Sequence, residues 1–393
     1  MNRQDIISLL IGLLLLLSLG AGCADTGMNP PGEEHLEEVD GLAAGPGSAD
    51  LPEVTTTAPA REEPAFQTIT PVAGTPTVTR VFETKFGTKV YQVRVEVNGS
   101  VYAGAKNIDR ALPPGADWDD PEVMTAYYGG FIDDPAMTVF FDDMARGLRA
   151  VKESKGFNEN EYLEFLVTFV QQIPYDPAAR PLPRYPVEVI WEQTGDCDEK
   201  SLLLLGLLAH EGYDTAFLLF PDEHHAAAGI GIRTGATPSF RVFKGLETGK
   251  YFYIESTRPT YIGLYTDPFE SAEVSVVPIG EGTGRFTQVN YICRITGTFQ
   301  KIEERLPFMH DRMKEWETEI ADLEKRLTGG DYESRAEWNR DHEAYLTLID
   351  EHNDYVEKYN TYLEVYHYIA DHPYDIEGVY RHIDNSGVED ITI

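Results

Sequence analysis

From Gly195 to Gly212 the chain reads GDCDEKSLLLLGLLAHEG, and no other stretch constrains the fold as strongly. A helix here is apolar on most faces, and such a helix is stable only when protein surrounds it. The globular part must therefore be built around it. Local signals agree on its ends. Gly195 permits a tight entry turn, Asp196 is a suitable N-cap and Gly212 a suitable stop. Cys197 falls in the first turn, ahead of the apolar run in which an inert buried thiol would be expected.

At a helix start, unpaired N–H groups and the helix dipole favour a thiolate. Asp196, Asp198 and Glu199 oppose it, because negative neighbours raise a thiol's pKa. A reactive Cys197 therefore needs a basic partner. His224 and His225 open the small-residue run HHAAAGIGI, which reads as a strand. A histidine at a strand end beside the core helix can take the thiol's proton. Glu255 follows apolar and aromatic residues in YFYIEST, and a carboxylate in so apolar a strand needs a partner. Cys197, His224 or His225, and Glu255 are thus candidates for nucleophile, base and orienting acid. Taken singly, Cys197 remains open to the plainer reading of a buried structural cysteine. Cys197 with Asp222, Glu223 and His224 matches no zinc spacing, so no metal or cofactor is expected.

The remaining cysteines, Cys23 and Cys293, make no disulfide framework and no CxxC pair. Cys293, in VNYICRITG, reads as core. Cys23 follows an apolar stretch, Ile6–Leu19, and the small residues Gly20-Ala21-Gly22. This resembles a lipoprotein signal, which implies lipidation at Cys23 and a place on the extracytoplasmic face of the cell membrane. An uncleaved anchor over residues 1–23 is the alternative, and a cleaved signal with a secreted product ranks below both. Residues 24–77 are rich in Pro, Gly, Glu and Thr and nearly free of aromatics, as expected of a disordered tether. The formal charge of −34 excludes nonspecific nucleic-acid binding, which needs a basic surface.

Beyond the tether, residues 78–297 read as one α+β domain. TRVFETKFGTKVYQVRVEVNGSVYAGAK alternates apolar and polar residues, with turn signals at Phe86-Gly87 and Asn98-Gly99. Residues 117–150 read as mostly helical, and Glu159–Gln172 as an amphipathic helix stopped by Pro174. The strand-like runs DTAFLLF, AAAGIGI and YFYIEST follow the central helix. From Ile302 to Leu327 apolar residues step by four and three, a heptad seam, with Pro307 as the expected start of the regular helix. Gly329-Gly330 breaks it, and a tyrosine-rich seam from Trp338 to Ile369 returns. Residues 298–371 are therefore expected to form an antiparallel helical hairpin, with 372–393 as a tail. Its tyrosines read first as core and second as a surface for a protein partner.

Five segments in order, FVQQIPY (169–175), YPVE (185–188), GDCDEKS (195–201), HAAAGI (225–230) and YIEST (253–257), resemble the transglutaminase-like superfamily in its prokaryotic exported branch. The resemblance covers about residues 80–290. It implies a papain-like α+β core, with the nucleophile on a central helix packed on an antiparallel sheet. It implies Cys197 as nucleophile, His225 as base and Glu255 as acid, His225 being preferred over His224 because glycine follows it by four positions. Gln171 matches an upstream glutamine that in papain-like enzymes helps form the oxyanion hole. The implied activity is attack on an amide bond of a peptide, protein or envelope polymer through a thioester. Water or an amine then resolves the thioester, so hydrolase and acyltransferase both stay open. A non-catalytic binding module that uses the hairpin as its partner surface is the alternative function.

Overall fold

The computed structural model describes residues 67–112, 115–118, 120–178, 180, 182–232, 250–264 and 273–388. The expected signal or anchor, Cys23 and most of the tether lie outside the described residues. Among the described residues the fold is α+β, with nine helices, two antiparallel sheets and a C-terminal helical pair.

Strands β1 (Val78–Phe86) and β2 (Lys89–Val97) form a hairpin in continuous register, from Val78 opposite Val97 to Phe86 opposite Lys89. Phe82, Phe86, Tyr91, Val93, Val95 and Val97 turn one face inward with the period of two that strands require. Asn98-Gly99 is not a second hairpin turn. Asn98 instead caps helix α1 (Gly99–Lys106) by accepting the Ser100 N–H. An Asn followed by small residues suits an N-cap as well as a turn, and here the helix prevails. The last residues of the expected tether are also ordered. The Ile69 N–H donates to Asp134 at 2.7 Å, the Val72 N–H to the Ser100 carbonyl, and Ile69 is buried.

Helices α2 (Pro121–Gly129), α3 (Pro135–Lys155), α4 (Glu159–Gln171) and α5 (Pro186–Glu192) lead to α6 (Cys197–His210). Every residue of α6 from Glu199 to Leu208 is buried, as its all-round apolarity demands. One side packs on β3 (Asp214–Phe220) and β4 (His225–Gly231), the others on α3, α4 and α5. Gly206 interrupts the leucines because the Phe141 ring of α3 sits where a Cβ would be, at 2.1 Å. With β5 (Tyr251–Ile254) and β6 (Ser275–Glu281) the second sheet has the order β5-β4-β3-β6, all antiparallel.

Helix α7 (Val289–Gly329) does not begin at Pro307 but passes through it. Val289, Ile292, Ile295, Phe299, Ile302 and Leu306 are all buried, a helical face already formed upstream of the proline. Burial of that face outweighs the hydrogen bond that proline removes. Cys293 thus lies half-buried on a helix, and α7 crosses residue 297 without a break. Helix α8 (Arg335–Asp371) returns antiparallel. Tyr362 and Tyr366 are buried at the hairpin base, where Tyr366 stacks on Phe299 at 4.5 Å. The expected tail forms helix α9 (Ile376–Asn385), which buries Ile376, Val379 and Ile383 against α7 and α8. Among the described residues, no helix is long and apolar enough to cross a membrane.

Candidate active site

Three elements converge on one point. Cys197 is the first residue of α6, His225 the first of β4, and Glu255 follows the last residue of β5. Asp196 caps α6 as expected: its carboxylate accepts the Glu199 N–H while Glu199 accepts the Asp196 N–H. His225 lies close enough to the Cys197 side chain for that group to act on its charge. Its Nε2 faces Glu255 Oε2 at 3.5 Å. His224 is exposed, with a left-handed backbone at φ 50°, so the histidine brought to the thiol is His225.

The charges interlock. Burial lowers the affinity of His225 for its proton, but hydrogen bonds to Cys197 and Glu255 and the charges on both push its pKa up to about 9. Burial raises that of Glu255, but His225 and two hydrogen bonds from Thr257 hold it at about 2. Those bonds reach Oε1 from the Thr257 N–H at 2.8 Å and from its hydroxyl at 2.6 Å. His225 is therefore set to carry a proton at neutral pH opposite an ionised Glu255.

The acidic flank of Cys197 is engaged with partners of its own. Glu199 is fully buried, and Arg184 clamps both its oxygens, at 2.8 and 2.6 Å. Burial together with a hydrogen bond to Asp198 and its charge raises Asp196 to about 7. Arg184 comes from the proline-rich loop, where periodicity carries no information about its partner.

Gln171 is not placed as an oxyanion donor. Its amide nitrogen donates to the Glu255 carbonyl at 2.8 Å and the Thr260 carbonyl at 3.0 Å, which spends both N–H groups on the segment after β5. Beside it Lys200, fully buried, donates to the carbonyls of Gln171, Ile173 and Thr257 at 3.1, 2.7 and 3.3 Å. Burial lowers its pKa to about 8, with Glu255 opposing. Gln171 and Lys200 together fix the backbone at the acid and just after it. Lys200, Ser201, Tyr253 and Ser256 lie inside the quoted motifs, yet the sequence does not single them out as site residues.

Tyr175 lies beside Cys197, half-exposed, on a segment that bridges to Gly195. Among the described residues, no group of three or more His, Cys, Asp or Glu side chains is arranged to hold a metal ion. Comparison with family models, with curated proteins and with solved structures returns no match to this chain. The chemistry is therefore argued from the site.

Proposed function

We propose that this chain is a membrane-anchored, extracytoplasmic cysteine enzyme of transglutaminase-like type that acts on amide bonds of peptides, proteins or envelope polymers. The observation that carries the reading is His225, which lies beside Cys197 and faces the Glu255 carboxylate through Nε2 at 3.5 Å. The central helix, the antiparallel sheet beside it and the order of the five motifs support a papain-like core.

The chemistry follows from the arrangement. His225 holds the proton of the Cys197 thiol, and the sulfur attacks the amide carbon. The Cys197 N–H, at the first position of α6, has no intrahelical partner and is a natural donor to the oxygen that gains charge. When the C–N bond breaks, His225 delivers its proton to the departing amine, and a thioester remains. Water or a second amine then gives a proton to His225 and attacks the thioester. The C–S bond breaks, and the thiolate–imidazolium pair is restored. Tyr175 offers an aromatic wall for the acyl chain.

In the test, iodoacetamide near neutral pH should modify Cys197 much faster than Cys293, and His225→Ala should slow the reaction at Cys197 alone. Equal, slow rates at both thiols would favour the non-catalytic binding module. The anchor is tested separately: Cys23→Ser should release a lipidated chain from membranes, whereas retention points to an uncleaved segment.

A further inference from the structure

His225 and Glu255 do not close into a short hydrogen bond. Their separation of 3.5 Å exceeds the usual N–H···O range of ~2.7–3.2 Å. The hydroxyl of Tyr253 stands at the junction. It lies 3.3 Å from His225 Nε2 and donates to Glu255 Oε2 at 2.7 Å. Tyr253 and Glu255 are two residues apart, the spacing that turns two side chains of an extended segment to the same side.

A phenol has one proton to give. Here it goes to Glu255, so toward His225 the same oxygen is an acceptor, polarised by the carboxylate behind it. The carboxylate is not free to move closer to the ring. Thr257 holds Oε1 by two hydrogen bonds, Gln171 holds the Glu255 carbonyl, and Lys200 holds that of Thr257. Tyr253 is 3% exposed, with the Phe220 ring edge-on to it at 6.1 Å, so solvent has little room to replace its hydroxyl.

We propose that Tyr253 is a positioning residue that joins His225 to Glu255, so that the imidazole is oriented through the phenol as well as by the carboxylate. The inference rests on the cysteine-enzyme reading and adds a fourth member to its side-chain chain, in the order Cys197, His225, Tyr253, Glu255. No proton leaves the tyrosine. Its oxygen and the carboxylate behind it together stabilise the imidazolium that forms when the thiol gives up its proton.

The test measures alkylation of Cys197 by iodoacetamide against pH in the full chain, in Tyr253→Phe, in Glu255→Gln and in the double variant. Cys293 is the internal reference, and circular dichroism reports folding. Tyr253→Phe removes one oxygen and keeps the ring against Phe220. Each single variant should slow Cys197 at neutral pH roughly tenfold, the scale of one lost charge-assisted contact. The double variant should be little slower than the slower single one, because the two residues act as a unit. In Tyr253→Phe the rate profile should also move to higher pH, since less imidazolium faces the sulfur; a packing defect would lower the rate without moving the profile. A Tyr253→Phe chain with the unaltered rate and profile overturns the proposal, as do losses that multiply in the double variant. Either result leaves the cysteine-enzyme reading standing if Cys197 in the unaltered chain is fast. A Cys197 no faster than Cys293 in the unaltered chain removes that reading and this proposal together.

Discussion

Ser201 and Ser256 share a hydrogen bond of 2.9 Å between buried hydroxyls, and it ties together the three elements that carry the candidate triad. Ser201 lies one helical turn beyond Cys197, and its hydroxyl is also 3.4 Å from the carbonyl of Ala226, the neighbour of His225. Ser256 adjoins Glu255, and its hydroxyl lies 3.4 Å from the Cys197 carbonyl; with one proton on each hydroxyl, one serine donates to the other, and only the accepting serine has a proton left for its carbonyl. With Lys200 and Gln171 bracing the same segment, Cys197, His225 and Glu255 are held by their neighbours in sequence as well as by each other.

Removing that bridge should show first in stability. Ser256→Ala leaves the buried Ser201 hydroxyl with one fewer partner and is expected to cost about 1–2 kcal/mol. Urea denaturation checks this, read as a lower midpoint at constant slope. An unchanged midpoint would mean that the bridge contributes nothing.

The pH dependence has a definite sign. The pKa of His225 is raised from 6.5 to about 9 on folding, so its contribution to stability is complete below about pH 6.5 and is lost as pH rises through 9. That of Glu255 is lowered from 4.5 to about 2, so its contribution is complete above about pH 4.5 and is lost only as pH falls through 2. The stability advantage of the unaltered chain over His225→Gln should therefore be largest near pH 6 and shrink toward pH 9, as read by urea denaturation at about pH 6, 7.5 and 9. An advantage that grows with pH across that window would contradict the pairing.

Gln171→Ala separates two roles by one measurement. Alkylation of a thiol develops no oxyanion, so an oxyanion donor is irrelevant to its rate. A residue that holds the Glu255 and Thr260 carbonyls is relevant, because it sets where the acid sits. Gln171→Ala is expected to slow alkylation of Cys197 severalfold. A normal alkylation rate combined with lost turnover of an amide would return Gln171 to the oxyanion role.

Legibility in the sequence followed the range of the interaction. The central helix was readable because its apolarity admits one environment, and its Asp196 cap because capping is local. The β1–β2 hairpin was readable from alternation, and the α7–α8 pair from heptad steps. Asn98 failed because a cap and a turn use the same residue. The start of α7 failed because Pro307 is a strong local signal, whereas the face from Val289 to Leu306 is a packing signal. Helix α9 was missed although Ile376, Val379 and Ile383 have helical spacing; ten residues near a terminus show little periodicity until a partner surface is known. Within the site, Cys197, His225 and Glu255 stood out by residue type. The groups that hold them, Gln171, Arg184, Lys200, Ser201, Tyr253 and Ser256, act through contacts that span up to 89 positions, from Gln171 to the Thr260 carbonyl, and no spacing rule covers separations of that length.

The docking of α9 turns on Glu164, an acid on α4 that is only 4% exposed and accepts the Ile376 N–H at 2.9 Å. Burial raises its pKa well above the usual carboxylate value, the Ile376 N–H opposes this, and Asp375 adds to the rise. A raised acid contributes stability below its ordinary pKa and loses it as pH rises, so at neutral pH the ionised form is a burden. Glu164→Gln keeps an acceptor for Ile376 and removes the charge. It should match or exceed the unaltered chain in stability at pH 7, with the difference vanishing at about pH 3, below the ordinary pKa, where the carboxyl is neutral in either fold state. Glu164→Leu removes the acceptor, orphans the first N–H of α9 and should cost about 1–3 kcal/mol at both pH values. Urea midpoints of the two variants at both pH values decide the matter. A destabilised Glu164→Gln chain at neutral pH would mean that the ionised carboxylate is needed at the start of the helix.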